Sequence, residues 1–202
     1  PTSHAPGSRP DAGPAKPGLE VRMTAAKLLS AAIDKKISLD GMLDLSHGNP
    51  AYKALGDADR ALTRAILTTA LRHLSRLEAA ISSMIDTPLP HGAKSLHHVL
   101  VVAAAQILHL DVPSHAAVDL AVEQANRDPR NRRFAKLVNA VLRRMVREKE
   151  EILAATASVS PVPDWFRKRL VAAYGETEAD KIAEAQLTPA AIDLTVKSDA
   201  KG

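Results

Sequence analysis

The densest collection of groups able to hold a ligand is the segment Arg127-Asp128-Pro129-Arg130-Asn131-Arg132-Arg133-Phe134-Ala135-Lys136. A guanidinium is a planar fork that donates two parallel hydrogen bonds to phosphate and stays charged at any relevant pH. The segment reads as a loop entering a helix start, where backbone N–H groups without intrahelical partners also favour anions. Phosphate binding is therefore the chemistry expected of Arg127, Arg130, Arg132, Arg133 and Lys136. A merely solvated basic loop is the alternative, and crowding of like charges without a counter-charge argues against it.

Other cations are less concentrated. Arg60 and Arg64 sit one turn apart on the polar side of a long helix, as do Arg72 and Arg76. Solvated helix surface and phosphate contact explain them equally well. Arg22 and Lys27, in the first helix, carry the same two readings. Arg143, Arg144, Arg147 and Lys149 precede Glu148, Glu150 and Glu151, so part of that charge serves local pairs and a helix end.

Covalent and metal chemistry find little support. The chain has no cysteine, which excludes disulfides, thiolate-bound metals and thiol catalysis. His97 and His98 are adjacent and point to different helix faces, so no metal site is expected. His73, His109 and His115 read as hydrogen-bonding core or loop residues. No glycine-rich turn follows a strand, so no nucleotide or methyl-donor cradle is visible and no catalytic residue is assigned. Aromatic residues make up 2% of the chain, too few for a base-stacking platform, which leaves phosphates and shape to dominate any binding.

The elements that must position these groups are helices. At 202 residues, 46% of them hydrophobic, the chain can build one good core, and its lack of aromatics requires a core of Ala, Leu, Val and Ile. Residues 1–18 are rich in Pro, Gly and Ser and read as a flexible tail. A first amphipathic helix begins at Val21 with Ala25, Leu28, Leu29, Ala32 and Ile33 inward. Ser38 is expected to cap a second, short helix ending near Gly48. The strongest periodicity runs from Asp57 to Ile85 as one helix or two nearly continuous ones, with Asp57 or Asp59 as N-cap. Leu96 to Leu108 is apolar around its whole circumference and belongs at the centre. Pro113 opens a helix through Ala125, Asn131 to Leu153 forms the next, and short helices cover Pro163–Tyr174 and Thr177–Gln186. Ala191 to Lys197 alternates apolar and polar, which is strand chemistry. It reads as the first strand of a following domain that the sequence does not include. No stretch is long and apolar enough to span a bilayer and no signal peptide is visible, so the expected location is the cytoplasm.

The order of motifs resembles a known family. Leu55-Gly56-Asp57-Ala58-Asp59-Arg60, the stretch Ile107 to Val118, and Leu137-Val138-Asn139-Ala140-Val141-Leu142-Arg143-Arg144 are similar to NusB-type antitermination domains. Pro163-Asp164-Trp165-Phe166-Arg167-Lys168-Arg169-Leu170, Ala173-Tyr174-Gly175 and Leu194-Thr195-Val196-Lys197 resemble the bridge in Sun/RsmB-type small-subunit ribosomal RNA cytosine-5 methyltransferases, where such a domain precedes a catalytic one. The resemblance covers residues 20–198. It implies an all-α, NusB-like bundle over 19–155, a helical bridge and first strand over 156–202, and small-subunit ribosomal RNA as partner. It also implies a C-terminal methyltransferase domain that uses S-adenosylmethionine and a cysteine nucleophile, neither held by this chain. The family's basic first-helix face maps to Arg22 and Lys27, and its loop to Arg127 through Lys136. Trp165 reads as an anchor of the bridge on the bundle, and Asn139 as hydrogen-bonding a neighbouring helix end. A freestanding antitermination factor that binds RNA and a ribosomal protein, and a structural or dimerising helical module, are the other readings.

Overall fold

A computed structural model describes residues 16–190, with the backbone alone at His91. Eleven α-helices and two short 3-10 turns make up its regular elements, and no strand occurs among the described residues. The alternating segment at 191–197 lies outside them.

Helix α6 (Lys94–His109) organises the rest. Its residues from His98 to Leu108 are all buried, as the unbroken apolar circumference predicts. Around it pack α1 (Leu19–Lys35), α4 (Asp57–Arg72), α5 (Leu74–Ser83), α7 (Ser114–Arg127), α8 (Ala135–Arg147) and α9 (Lys149–Thr156). The core is aliphatic: Leu28, Leu29, Ile66, Leu67, Leu77, Leu100, Ile107 and Leu142 are almost wholly enclosed. Each such side chain contributes roughly 1.5–3 kcal/mol by leaving water.

Several boundaries differ from expectation for local reasons. Before α1, Lys16 donates to Asp119 on α7 and the Leu19 N–H donates to the Lys16 carbonyl. Gly18 takes the left-handed φ of 77° that glycine adopts without strain. Helix α2 (Leu39–Leu43) starts after Ser38, but the serine side chain makes no capping bond. A further short helix, α3 (Pro50–Lys53), is capped by Asn49, whose side chain accepts from the Ala51 N–H. Between them Gly48 runs so close to the Asp44 backbone that any Cβ would collide with it.

At α4 the N-cap is Gly56, not Asp57 or Asp59. Both acids instead lie in the first turn, where the helix dipole favours them. The long periodic segment divides at His73, so α4 and α5 are distinct. The expected helix over Asn131–Leu153 is three pieces: a 3-10 turn at Arg132–Phe134, then α8, then α9 after Glu148 leaves helical geometry.

Beyond α9, helices α10 (Asp164–Tyr174) and α11 (Glu176–Ala185) pair around a small second core of Val162, Leu170, Ala179 and Ala183, with Phe166 against it. Arg76 of α5 ties this pair to the bundle. Its Nε donates to the Val159 carbonyl, and an Nη donates to the Ala157 carbonyl and to Glu184. Trp165 is not the anchor: it is 64% exposed. Phe166 and Leu170, one turn apart, define the inward face, and the neighbouring Trp165 is rotated about 100° away from Phe166.

The His73 ring stacks on His109, with centroids 3.8 Å apart and planes 10° from parallel. Burial, then the charges of Arg72 and Arg76, lowers the His73 pKa. Burial, then His73, Lys149 and Arg76, brings His109 down to about 4. Both rings are therefore neutral in the fold at pH 7, whereas the unfolded chain protonates its histidines near 6.5. Between those values the unfolded state binds more protons, so stability falls as pH falls. Urea titrations should show constant stability above pH 7 and a loss on the order of 3 kcal/mol between about pH 6.5 and 4. The His109→Gln variant should flatten that limb, and an equally steep limb in the variant would refute the assignment.

Candidate nucleic-acid interface

Helix α1 presents two faces. Val21, Ala25, Leu28 and Leu29 enter the core, while Met23, Lys27 and Ser30 face outward. The outward face forms one wall of a groove of about 1010 Å³. Its other wall is the end of α7 and the following loop, with Gln124, Arg127, Asp128, Pro129 and Asn131; Ser95, His98 and Val99 of α6 lie between. Residues 47–49, Met42 and Lys35 also line the groove. The groove thus brings Lys27 and Lys35 of α1 to the beginning of the arginine-rich loop, with Glu20 and Asp128 as its acidic members.

Asp128, Asn131 and Ser95 hold the loop. Asn131 is only 2% exposed, and its Nδ2 donates to the Ser95 Oγ at 3.1 Å and to Asp128 Oδ2 at 3.0 Å. Asp128 Oδ1 accepts from the Arg130 N–H at 2.9 Å, and its carbonyl accepts from the N–H groups of Asn131 and Arg132. Asp128 therefore folds the turn. The signal is local: an Asp side chain accepts readily from the backbone N–H two residues on, the Asx turn that Asp-Pro-Arg forms here.

Polar side chains also stand behind the groove lining. His98 is 3% exposed, and its Nε2 lies 3.4 Å from Asp34. Burial lowers its pKa despite that carboxylate, so the ring is neutral. His98 Nδ1 and Gln124 Oε1 are buried without a hydrogen-bond partner among the described residues.

The expected site residues separate into groups. Lys27 is exposed on the groove wall, and Arg127 lines the groove while its Nε donates to Glu123 at 2.7 Å. Arg130 and Lys136 are exposed, and their side chains meet no carboxylate among the described residues. Arg132 is exposed with its Nε donating to the Asn126 carbonyl, and Arg133 is exposed with its guanidinium over the Phe134 ring at 4.7 Å. Neither has a carboxylate partner among the described residues. Arg64 is exposed on α4, away from the groove lining.

Two expected contacts are corrected. Arg22 is 8% exposed: its Nε donates to Gln106 Oε1 at 3.0 Å and an Nη donates to the Gly18 carbonyl at 3.2 Å. It joins α1 to α6 inside the protein and presents no guanidinium to solvent. Arg22 is adjacent to core Val21 and, five residues from exposed Lys27, lies on a different side of α1. Arg60 is occupied at the start of α4, where its guanidinium binds the Leu55 carbonyl and Asp57. Asn139, for its part, accepts from Arg143 one turn along its own helix rather than from a neighbour.

A model of the NusB family matches residues 19–147, from the first residue of α1 to the last of α8. The chain belongs to the NusB family. Both walls of the groove and the whole basic loop lie within the NusB match. The chain is also 35% identical over 164 residues to ribosomal RNA small subunit methyltransferase B of Vibrio vulnificus (strain YJ016), covering 78% of this chain and 37% of that relative. With the protein of the same name from Xanthomonas campestris pv. campestris it shares 34% identity over 174 residues, 85% of this chain and 38% of the relative. The corresponding Citrobacter koseri protein is 31% identical over 168 residues. This NusB-family chain therefore spans less than two-fifths of the length of these curated relatives.

Proposed function

We propose that this chain is the RNA-facing helical part of a ribosomal RNA cytosine-5 methyltransferase, and that it positions small-subunit ribosomal RNA for catalysis carried out elsewhere in the protein, in the cytoplasm. The observation that carries the RNA reading is the groove between Lys27 and the start of the Arg127–Lys136 loop, together with the exposed Arg130, Arg132, Arg133 and Lys136 farther along that loop, which lack carboxylate partners among the described residues. The methyltransferase reading is supported by similarity that runs past the NusB match: 164 aligned residues against the 129 from 19 to 147. That extension favours it over a freestanding antitermination factor.

The mechanism is positional. Guanidiniums and Lys27 bind phosphate oxygens, which fixes the register of a strand without reading its bases. Holding the strand lowers the entropic cost of bringing one cytosine to a reacting group. S-adenosylmethionine would supply the methyl group. The described residues contain no strand-to-helix glycine turn to cradle it, and the chain has no cysteine. No step of methyl transfer is therefore assigned to these residues.

The test is titration of the chain with a labelled single-stranded fragment of small-subunit ribosomal RNA at several salt concentrations. Binding should weaken steeply with salt, and Lys27→Glu should weaken it about tenfold at low salt by replacing an attraction with a repulsion. Salt-insensitive binding, or none, would overturn the reading.

A further inference from the structure

Helix α10 carries a surface that the groove does not use. Its inward residues Phe166 and Leu170 pack toward α11, and Arg167 is neutralised there by Glu176 and Asp180, both at 2.7 Å. The opposite side is open. Trp165, Lys168, Arg169 and Ala172 follow the i, i+3, i+4, i+7 spacing of one helix face, and all four are exposed. Among the described residues neither Lys168 nor Arg169 has a carboxylate partner, in contrast to Arg167 beside them. The indole's ring neighbour is Phe166, tilted 48° at 5.5 Å, and no cation covers its face among the described residues.

We propose that this face of α10 is a second RNA contact, in which Trp165 stacks on an unpaired base while Lys168 and Arg169 hold the adjoining phosphates. The inference rests on the RNA-facing reading above and adds a single-strand contact outside the NusB match. An exposed tryptophan leaves a large apolar ring in water, and two unneutralised cations beside it select a polyanion with a flat, apolar component. A single-stranded nucleic acid has both: each base offers a π-face and each linkage a charge.

Trp165 is the only tryptophan in the chain, so its emission reports on this site alone. The chain should be titrated with an unstructured oligocytidylate carrying a terminal dye, reading tryptophan emission and dye anisotropy together. Stacking predicts quenching that saturates in step with anisotropy. By anisotropy, Trp165→Ala should weaken binding roughly tenfold and Trp165→Phe much less. The Lys168→Ala, Arg169→Ala pair should lower the salt slope by about 1.4, for two phosphates on a single strand. A rise in anisotropy with unchanged emission would overturn this contact while leaving RNA binding by the groove intact, and would place the indole against protein. No anisotropy change at low salt would overturn both.

Discussion

Replacing Gln106 with leucine is expected to destabilise the protein by about 3 kcal/mol, the cost of leaving a buried guanidinium without its acceptor. Gln106 is fully enclosed in α6, where its Nε2 donates to the Val102 carbonyl and its Oε1 accepts from Arg22. Burial already lowers the Arg22 pKa, with the charge of Asp59 opposing. The charge is thus tolerated through few contacts, of which Gln106 makes the one from a side chain among the described residues. Leucine has nearly the right volume, so the loss should come from electrostatics rather than from a cavity. The double variant Arg22→Met, Gln106→Leu removes both polar partners and should recover most of the loss, as replacement of buried polar pairs by apolar ones often does. Chemical denaturation of the three proteins decides the matter. If the double variant were no more stable than Gln106→Leu alone, Arg22 would have a different role. RNA affinity of the folded double variant should match the parent, because Arg22 lies off the surface.

The second large effect concerns binding. Replacing Arg130, Arg132 and Arg133 together with alanine should reduce RNA affinity on the order of 10²-fold at low salt, and lower the salt slope by about 2 for a single strand. Stability should change by less than about 1 kcal/mol, since these side chains are exposed and their internal contacts are one hydrogen bond to a carbonyl and one cation–aromatic stack. The turn itself is held by Asp128, Asn131 and Ser95, which the variant leaves in place. Anisotropy titrations at several salt concentrations measure both quantities. Equal curves for variant and parent would remove the loop from the interface.

The helices were legible because their cause is local: an aliphatic stripe repeats every three or four residues, and α6 is apolar all round. Ends were less so. The start of α4 depends on Arg60 reaching back to Leu55 and Asp57, and the start of α8 on Asn131 being drawn toward Ser95, 36 residues away. Charge alone could not separate Arg22 from Lys27, since one guanidinium turned inward only because α6 offers Gln106 at the right height. The same limit applied to Trp165, an apolar residue by composition that the register of Phe166 and Leu170 leaves in solvent. The arginine loop was visible as a run of like charge. Its partnership with α1 across the groove was not, because it exists only after α6 and α7 have packed.

Photo-crosslinking of the chain to a ribosomal RNA fragment, followed by mapping of the modified peptides, tests the interface most directly. Adducts are expected on the peptide containing Lys27 and on those covering 127–136. Efficient crosslinking that spared both, and fell instead on α4 around Arg64 or on α9, would contradict the assignment of this groove.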